Sequence, residues 1–420
     1  MNKNVLWTKG HVIKEFKVFP DDRGGDYVDV GLQLSYIKYY EDVIDPSLHV
    51  EISVIDALGI INKLPIRSGS AVRLRYQHPS QDEEVELELV ISNIFGHTID
   101  QKREIYTLTC ETTTALSNET TRVTKKYKGS ISNTVKELVK LVFDDPKDAK
   151  VAIDETANES EFFGNYRRPF KCIADLCKKS IPTTFSKGGA NSGTAGFLFY
   201  ETLDGYQFKS IDKLFAGEPI EDEYVMTPFK VHVDPENNFF VSSEPNFKES
   251  HDIVKKLRAG SYSTANWYYD VITRKVEFYN FKYNKSVEKA NDEDVTPKDY
   301  RDFYSRIILG TIDQGTTSTP AEGSELATPQ DQARTQAQAS ARYSALFSQM
   351  LDITVPMNLS LRAGMMLKIR FPNINTDKSI PKNSPESGNY MIARLSHELG
   401  NPDGDFTGLT LVRDSFTTHE

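Results

Sequence analysis

Apolar and polar residues alternate with a period of two through both ends of the chain. Val72, Leu74 and Tyr76 alternate with Arg73 and Arg75, and Val85, Leu87 and Leu89 with Glu84, Glu86 and Glu88. Strands with one face in a core produce this period. The outward face of Glu84 to Leu89 reads as strongly acidic. Two explanations stay open: a solvated edge that resists aggregation, or a functional acidic lining.

The alternation recurs in an internal repeat. Leu64-Pro-Ile-Arg-Ser-Gly-Ser-Ala-Val-Arg-Leu-Arg-Tyr76 lies without a gap over Leu359-Ser-Leu-Arg-Ala-Gly-Met-Met-Leu-Lys-Ile-Arg-Phe371. It pairs Arg67 with Arg362, Gly69 with Gly364 and Tyr76 with Phe371. Each copy reads as a glycine turn leading into a strand. Further along, Val90-Ile-Ser-Asn-Ile94 matches Met391-Ile-Ala-Arg-Leu395, and Tyr106-Thr-Leu-Thr109 matches Leu409-Thr-Leu-Val412, each copy ending in an acid, Glu111 or Asp414. Gly96–Lys102 and Asn401–Asp405 read as the turns that make each copy a hairpin sheet.

Between the copies the period changes. Val135, Leu138, Val139 and Val142 share a helical face, with Ser132 as N-cap. A second helix follows Pro169 and closes before Pro182, with Phe170, Ile173, Leu176 and Cys177 inward. Ser186–Gly196 lacks the Gly-Lys-Ser/Thr spacing of a phosphate loop and reads as a loop entering the strand Phe197–Tyr200. A short helix from Ser210 to Phe215, stopped by Gly217, completes an α/β insertion. The aromatic hairpin Trp267–Ile272 and Lys275–Tyr283 is a candidate part of the second β unit. Gly310–Ala327 reads as a mobile connection, and an Ala- and Gln-rich helix runs from Thr328 to Met350 with its early turns on a surface or partner. The fold class is α+β: two related antiparallel β units with inserted α/β elements.

Composition narrows the function classes. The 420 residues carry 38% hydrophobic content, enough for several packed units. A formal charge of -10 argues against a surface that grips nucleic acid. The three cysteines, Cys110, Cys172 and Cys177, are too few for a secreted disulfide framework. No apolar run reaches the length of a membrane span, and Met1–Phe16 does not read as a signal peptide; a non-membrane protein made in a cytoplasm is expected.

No pattern selects a catalytic centre. The eight histidines form no His-Glu-x-x-His and no cluster with cysteine, and adjacent His397 and Glu398 fall on opposite strand faces. Cys172 and Cys177 lie on different faces of their helix, and Cys110 sits within a core strand. No enzymatic activity, cofactor or metal is expected.

Tyr39-Tyr-Glu-Asp-Val-Ile-Asp-Pro-Ser-Leu48, followed by Ile52–Asp56, Leu58 and Leu64-Pro65, resembles the opening of the central baseplate hub proteins of contractile-tailed, T4-like phages. Tyr390–Leu395 and the closing Leu-x-Leu-x-Arg-Asp-Ser of Leu409–Ser415 resemble the end of that family. The resemblance implies two tail-tube-like β-barrel domains per chain. It implies a homotrimer whose six barrels form a ring between a hexameric tail tube protein and a trimeric spike protein, with baseplate wedge proteins around it. DNA would pass through the lumen without specific binding. The location implied is the virion tail, assembled in the host cytoplasm. On this plan residues 1–124 form the first barrel and 125–230 an inserted α/β domain that partly completes it. Residues 231–290 and 351–420 form the second barrel, and 291–350 a linker and helical segment. Glu84, Glu86 and Glu88 are the candidate lumen-facing acids, where they would repel phosphate. A hub module of a type VI secretion spike, which would form the same trimer but usually continues into a β-helical spike where this chain stops at Glu420, is the alternative. A tail-associated peptidoglycan hydrolase is a third.

Overall fold

The computed structural model describes residues 11–20, 25–63, 66–79, 81–100, 102–183, 193–220, 223–226, 240–241, 245–249, 252–271, 274–282, 293–294, 300, 303–312, 331–371, 384–401 and 404–416. The Leu64-Pro65 pair, most of the Ser186–Gly196 loop and nearly all of the Gly310–Ala327 connection lie outside these residues.

The first part of the chain is almost wholly extended. Strands β1 (Val12–Phe19), β2 (Val28–Asp29), β3 (Leu34–Asp42) and β4 (His49–Asp56) precede the one-turn helix α1 (Ile60–Lys63). Strands β5 (Ala71–Gln77), β6 (Glu84–Ile99) and β7 (Glu104–Thr112) follow it. Alternation does the sorting: in β4, Val50, Ile52 and Val54 are fully buried, while His49, Glu51 and Ser53 face the other way and stay partly exposed.

A mixed stretch comes next, with α2 (Thr113–Thr120), β8 (Lys126–Ser130), α3 (Ile131–Lys140), β9 (Val151–Ile153) and β10 (Glu159–Phe163). It continues through α4 (Pro169–Cys177), β11 (Phe197–Thr202), β12 (Gly205–Ser210) and α5 (Ile211–Ala216). Helix α3 begins earlier than its expected cap, because Ser130 rather than Ser132 holds the extended backbone of the N-cap position. Helices α3 and α4 bury Val135, Leu138, Val139, Phe170, Ile173 and Leu176 against Phe197, Phe199, Tyr206 and Phe208 of the β11–β12 hairpin, which makes a separate small core.

Strands β13 (Glu223–Met226), β14 (Phe240–Val241) and β15 (Asn246–Glu249) and helix α6 (Ile253–Ala259) lead to β16 (Thr264–Asp270), β17 (Val276–Phe281), β18 (Glu293–Asp294) and β19 (Arg306–Ile312). The aromatic hairpin β16–β17 does not join the second β unit. It forms its own three-stranded sheet with β19, which runs parallel to β16.

Helix α7 (Asp331–Leu346) is shorter than its sequence pattern, because Met350 and Leu351 belong to the next strand. The side chains of its first turn, expected on a surface or partner, lie outside the described residues, and the turns that follow are packed. The helix packs through its alanines, Ala339 against Ile181 and Ala195, and Ala337 and Ala341 against Phe281. Alanine carries so little apolar area that its contact face is faint in a hydropathy pattern.

The end of the chain returns to strands: β20 (Gln349–Pro356), β21 (Met366–Arg370), β22 (Gly388–Leu399), β23 (Phe406–Arg413) and β24 (Ser415–Phe416). Among the described residues one 14-stranded sheet holds both ends together, in the order β14-β13-β21-β22-β3-β4-β7-β6-β5-β1-β2, with β23 on β22, β20 on β23 and β15 on β20. The path does not return on itself. Where two closed barrels were expected, the described strands form an open, continuous sheet over one core running from Phe16 and Val50 to Ile392 and Leu411. The molecule is mostly β with a few helices, an α+β fold.

Candidate functional site

With the core on one side, the polar face of the sheet is the surface available for function. Glu84, Glu86 and Glu88 all lie on it, alternating with buried Val85, Leu87 and Leu89. It is not the acidic face that β6 alone announces. Register places Arg75 opposite Glu86 and Arg73 opposite Glu88, with an Arg73–Glu88 ion pair at 3.0 Å. Glu84 is held between Lys14 and Arg75, each at 2.6 Å, and these cations keep its carboxyl below the usual range. Lys17 pairs with Glu15 on β1 at 3.0 Å. The result is a ladder of alternating charge across three strands. The compensating cations come from β1 and β5, and a single strand's pattern says nothing about which neighbours it will have.

The two repeated segments share details finer than alternation. Gly69 N–H donates to the Ile91 carbonyl at 2.8 Å, and Gly364 N–H to the Ile392 carbonyl at 2.8 Å. Ile91 N–H returns a bond to Ser70 at 2.9 Å, and Ile392 N–H to Met365 at 2.9 Å. Both glycines have positive φ, +98° and +86°. Strands β6 and β22 carry a bulge at the same place, between Ile91 and Asn93 and between Ile392 and Arg394. The third block of the repeat is two residues off its sequence match. Leu108 lies opposite Ile94 and Leu409 opposite Leu395, so Leu108 corresponds to Leu409 rather than Leu411. A slip of two keeps every side chain on its own face, so alternation cannot detect it. Glu111 and Asp414 are consequently not counterparts.

The segments meet where β3 pairs antiparallel with the outer half of β22, from Arg394 opposite Asp42 to Leu399 opposite Ile37. On the polar face Arg394 reaches Asp42 at 2.6 Å, and Glu398 receives Lys38 at 2.9 Å and the Tyr36 hydroxyl at 2.5 Å. On the core face His397 stacks on Tyr39, with ring centroids 5.7 Å apart. Burial and the nearby Arg362 guanidinium push the His397 imidazole down to about 3, so it sits neutral.

Buried acids and an arginine fasten the rest, and sequence reasoning gave them no structural role. Glu41 accepts the Tyr39 hydroxyl at 2.7 Å, Leu203 N–H at 2.9 Å and Ala363 N–H at 2.7 Å, tying first segment, insertion and second segment to one carboxyl. Glu201 accepts Leu48 N–H at 3.2 Å and the Thr112 hydroxyl at 3.0 Å, and burial pushes its carboxyl up to about 8. Arg342 of α7 is 2% exposed and lies between Asp212 at 2.9 Å and Asp414 at 2.8 Å. The only advance signal was an acid in line with apolar positions: Glu41 continues the core-facing alternation of Ile37 and Tyr39, and Glu201 follows the apolar run Phe197–Tyr200.

Cys110, Cys172 and Cys177 are buried free thiols, and burial raises each of them, away from the thiolate a nucleophile needs. Among the described residues no three His, Cys, Asp or Glu side chains gather as a metal site, and no helix is long and apolar enough to cross a membrane.

No protein-family model and no curated protein matches the sequence. Solved structures do match the fold. A tail protein from Neisseria meningitidis aligns at TM-score 0.55 and 11% identity, covering 96% of this chain and 97% of that one. The prophage MuSo2 tail protein from Shewanella oneidensis aligns at TM-score 0.53 and 11% identity, covering 96% and 98%. A type VI secretion component from E. coli aligns more loosely, at TM-score 0.46 and 9% identity, over 97% and 77%. Over nearly its whole length, this chain has the fold of tail proteins.

Proposed function

We propose that this protein is a structural subunit of a phage-type tail, the hub of a contractile baseplate. Three copies form a ring of six related β modules. That ring presents approximate sixfold symmetry to a hexameric tail tube and threefold symmetry to a trimeric spike, with wedge proteins around it and a channel for DNA. One observation carries the reading: two segments of one chain repeat the same glycine turn, backbone bonds and strand bulge, and they lie side by side in one sheet. A chain built as two copies of a module is the simplest device by which three subunits meet six. The full-length tail-protein fold supports a structural rather than a catalytic role.

In this arrangement the polar face with Glu84, Glu86 and Glu88 lines the channel. Glu84 and Glu88 are already engaged by Lys14, Arg75 and Arg73, so the face offers passing phosphate neither a cluster of unpaired cations nor a strongly repulsive wall.

Light scattering on a sizing column, followed by particle imaging, tests the ring: a trimer with a central hole and six lobes is expected. A compact monomer that stays monomeric with spike protein added would remove the hub reading in favour of the hydrolase or another binding module. Within the ring, a Glu86→Cys variant is expected to react with a small maleimide but not with one carried on a bulky polymer. Equal reaction with both would place this face on the outer wall.

A further inference from the structure

The internal junction has a counterpart that the described strands leave unmade. Strand β3 pairs with β4, and β15 pairs with β20; β4 lies against β7 as β20 lies against β23. Strand β15 therefore occupies in the second segment the place of β3 in the first. In the same way β6 corresponds to β22. Strand β22 gives one edge first to β21 and then, beyond its bulge, to β3. Strand β6 gives the same edge to β5 only as far as Val90. Among the described residues, the edge of β6 beyond its bulge and the outer edge of β15 have no strand partner, and the two strands do not pair with each other.

Burial follows the same logic. Ile99 corresponds to Leu399, yet Ile99 is 71% exposed and Leu399 0%. Phe247 corresponds to Tyr39, yet Phe247 is 40% exposed and Tyr39 2%. Phe95 adds a further apolar ring on the β6 edge, 42% exposed. Positions that the repeat buries inside the chain are left open where the described strands offer no partner. An unpaired strand edge bearing large apolar groups is a template for another strand.

We infer that the outer end of β6, Phe95–Ile99, of one copy pairs antiparallel with β15 of the next copy, repeating between chains part of the β22·β3 junction found within the chain. Correspondence with Glu398 opposite Lys38 sets the register: Thr98 faces Asn246. The contact is head-to-tail, with a different surface on each side, so it propagates until it closes. The edges follow from the repeat alone, while the number of copies, three, rests on the ring proposed above.

The test uses the full chain with Thr98→Cys and Asn246→Cys together, oxidised and run on a non-reducing gel. Facing strand positions lie within disulfide reach, and the native thiols are buried. Covalent dimers and closed trimers that reductant abolishes are expected. A Glu86→Cys/Asn246→Cys control is expected to give none. A second variant, Phe95→Asp/Phe247→Asp, sets like charges on the meeting edges and is expected to weaken association by more than about tenfold with an unchanged circular dichroism spectrum. A trimer that forms but neither cross-links nor weakens would overturn this edge assignment and leave the ring standing. A protein that is monomeric at every concentration, with or without spike protein, would overturn both.

Discussion

At the scale of single residues, the fold is fastened by ionisable groups placed where water does not reach. A buried ion pair costs desolvation, and its main effect is that neither partner can be lost without leaving the other exposed to a low dielectric; Arg342 between Asp212 and Asp414 is in this position. Glu201 gives a pH test. Its carboxyl is raised from 4.5 to about 8 in the folded chain, so the folded state holds the proton more tightly than the unfolded one. The stability this contributes is complete below pH 4.5 and is lost as pH rises towards 8. Glu201→Gln keeps an acceptor for Leu48 and Thr112 without the titration. Its melting temperature is therefore expected to gain on the wild type steadily across that window, and parallel curves would contradict the assignment. Little of this was legible in the sequence: Glu201 follows the apolar run Phe197–Tyr200, but nothing there says where its carboxyl points. Burial of a polar group is a property of the assembled chain.

At the scale of elements, the sequence was informative wherever the physics is local. Strands with a buried face, the glycine turns at Gly69 and Gly364 and the Pro169 helix start all follow from period, backbone freedom or a missing N–H. Register and neighbours are not local, which is why the acidic face of β6 became a charge ladder and the third block of the repeat moved by two residues. The same limit hid the separate β16–β17–β19 sheet. The matched glycines make a paired prediction. Both hold a positive φ that costs a side chain roughly 1–2 kcal/mol. A Cβ at Gly69 meets open space, whereas one at Gly364 meets the Tyr200 hydroxyl. Gly69→Ala is expected to cost only the backbone term. Gly364→Ala should cost about 1–3 kcal/mol more, and Tyr200→Phe in the Gly364→Ala background should recover part of it. Urea unfolding of the three variants decides this, and equal losses at the two glycines would show that Tyr200 moves freely aside.

At the scale of the whole molecule, one continuous core spans both segments, so the β22·β3 junction belongs to the folded monomer, while its counterpart waits for a second chain. Hydrogen exchange at two protein concentrations separates them. Amides of Ile37–Asp42 are expected to stay protected in dilute and concentrated samples alike. The amides of Phe95–Ile99 that point away from β7 are expected to exchange quickly when dilute and slowly when concentrated, while those bonded to β7 stay protected throughout. Protection of both at every dilution would mean that the second edge is covered from within the chain. In the proposed ring, the covalent joining of two modules would also change the law of mass action that assembly obeys. Half of its joints form at the fixed effective concentration of a folded chain, independent of how much protein the cell makes. Closure then depends on the third power of subunit concentration where separate modules would require the sixth. A scarce component made in few copies per particle can therefore close its ring at concentrations where an unduplicated version would remain in pieces.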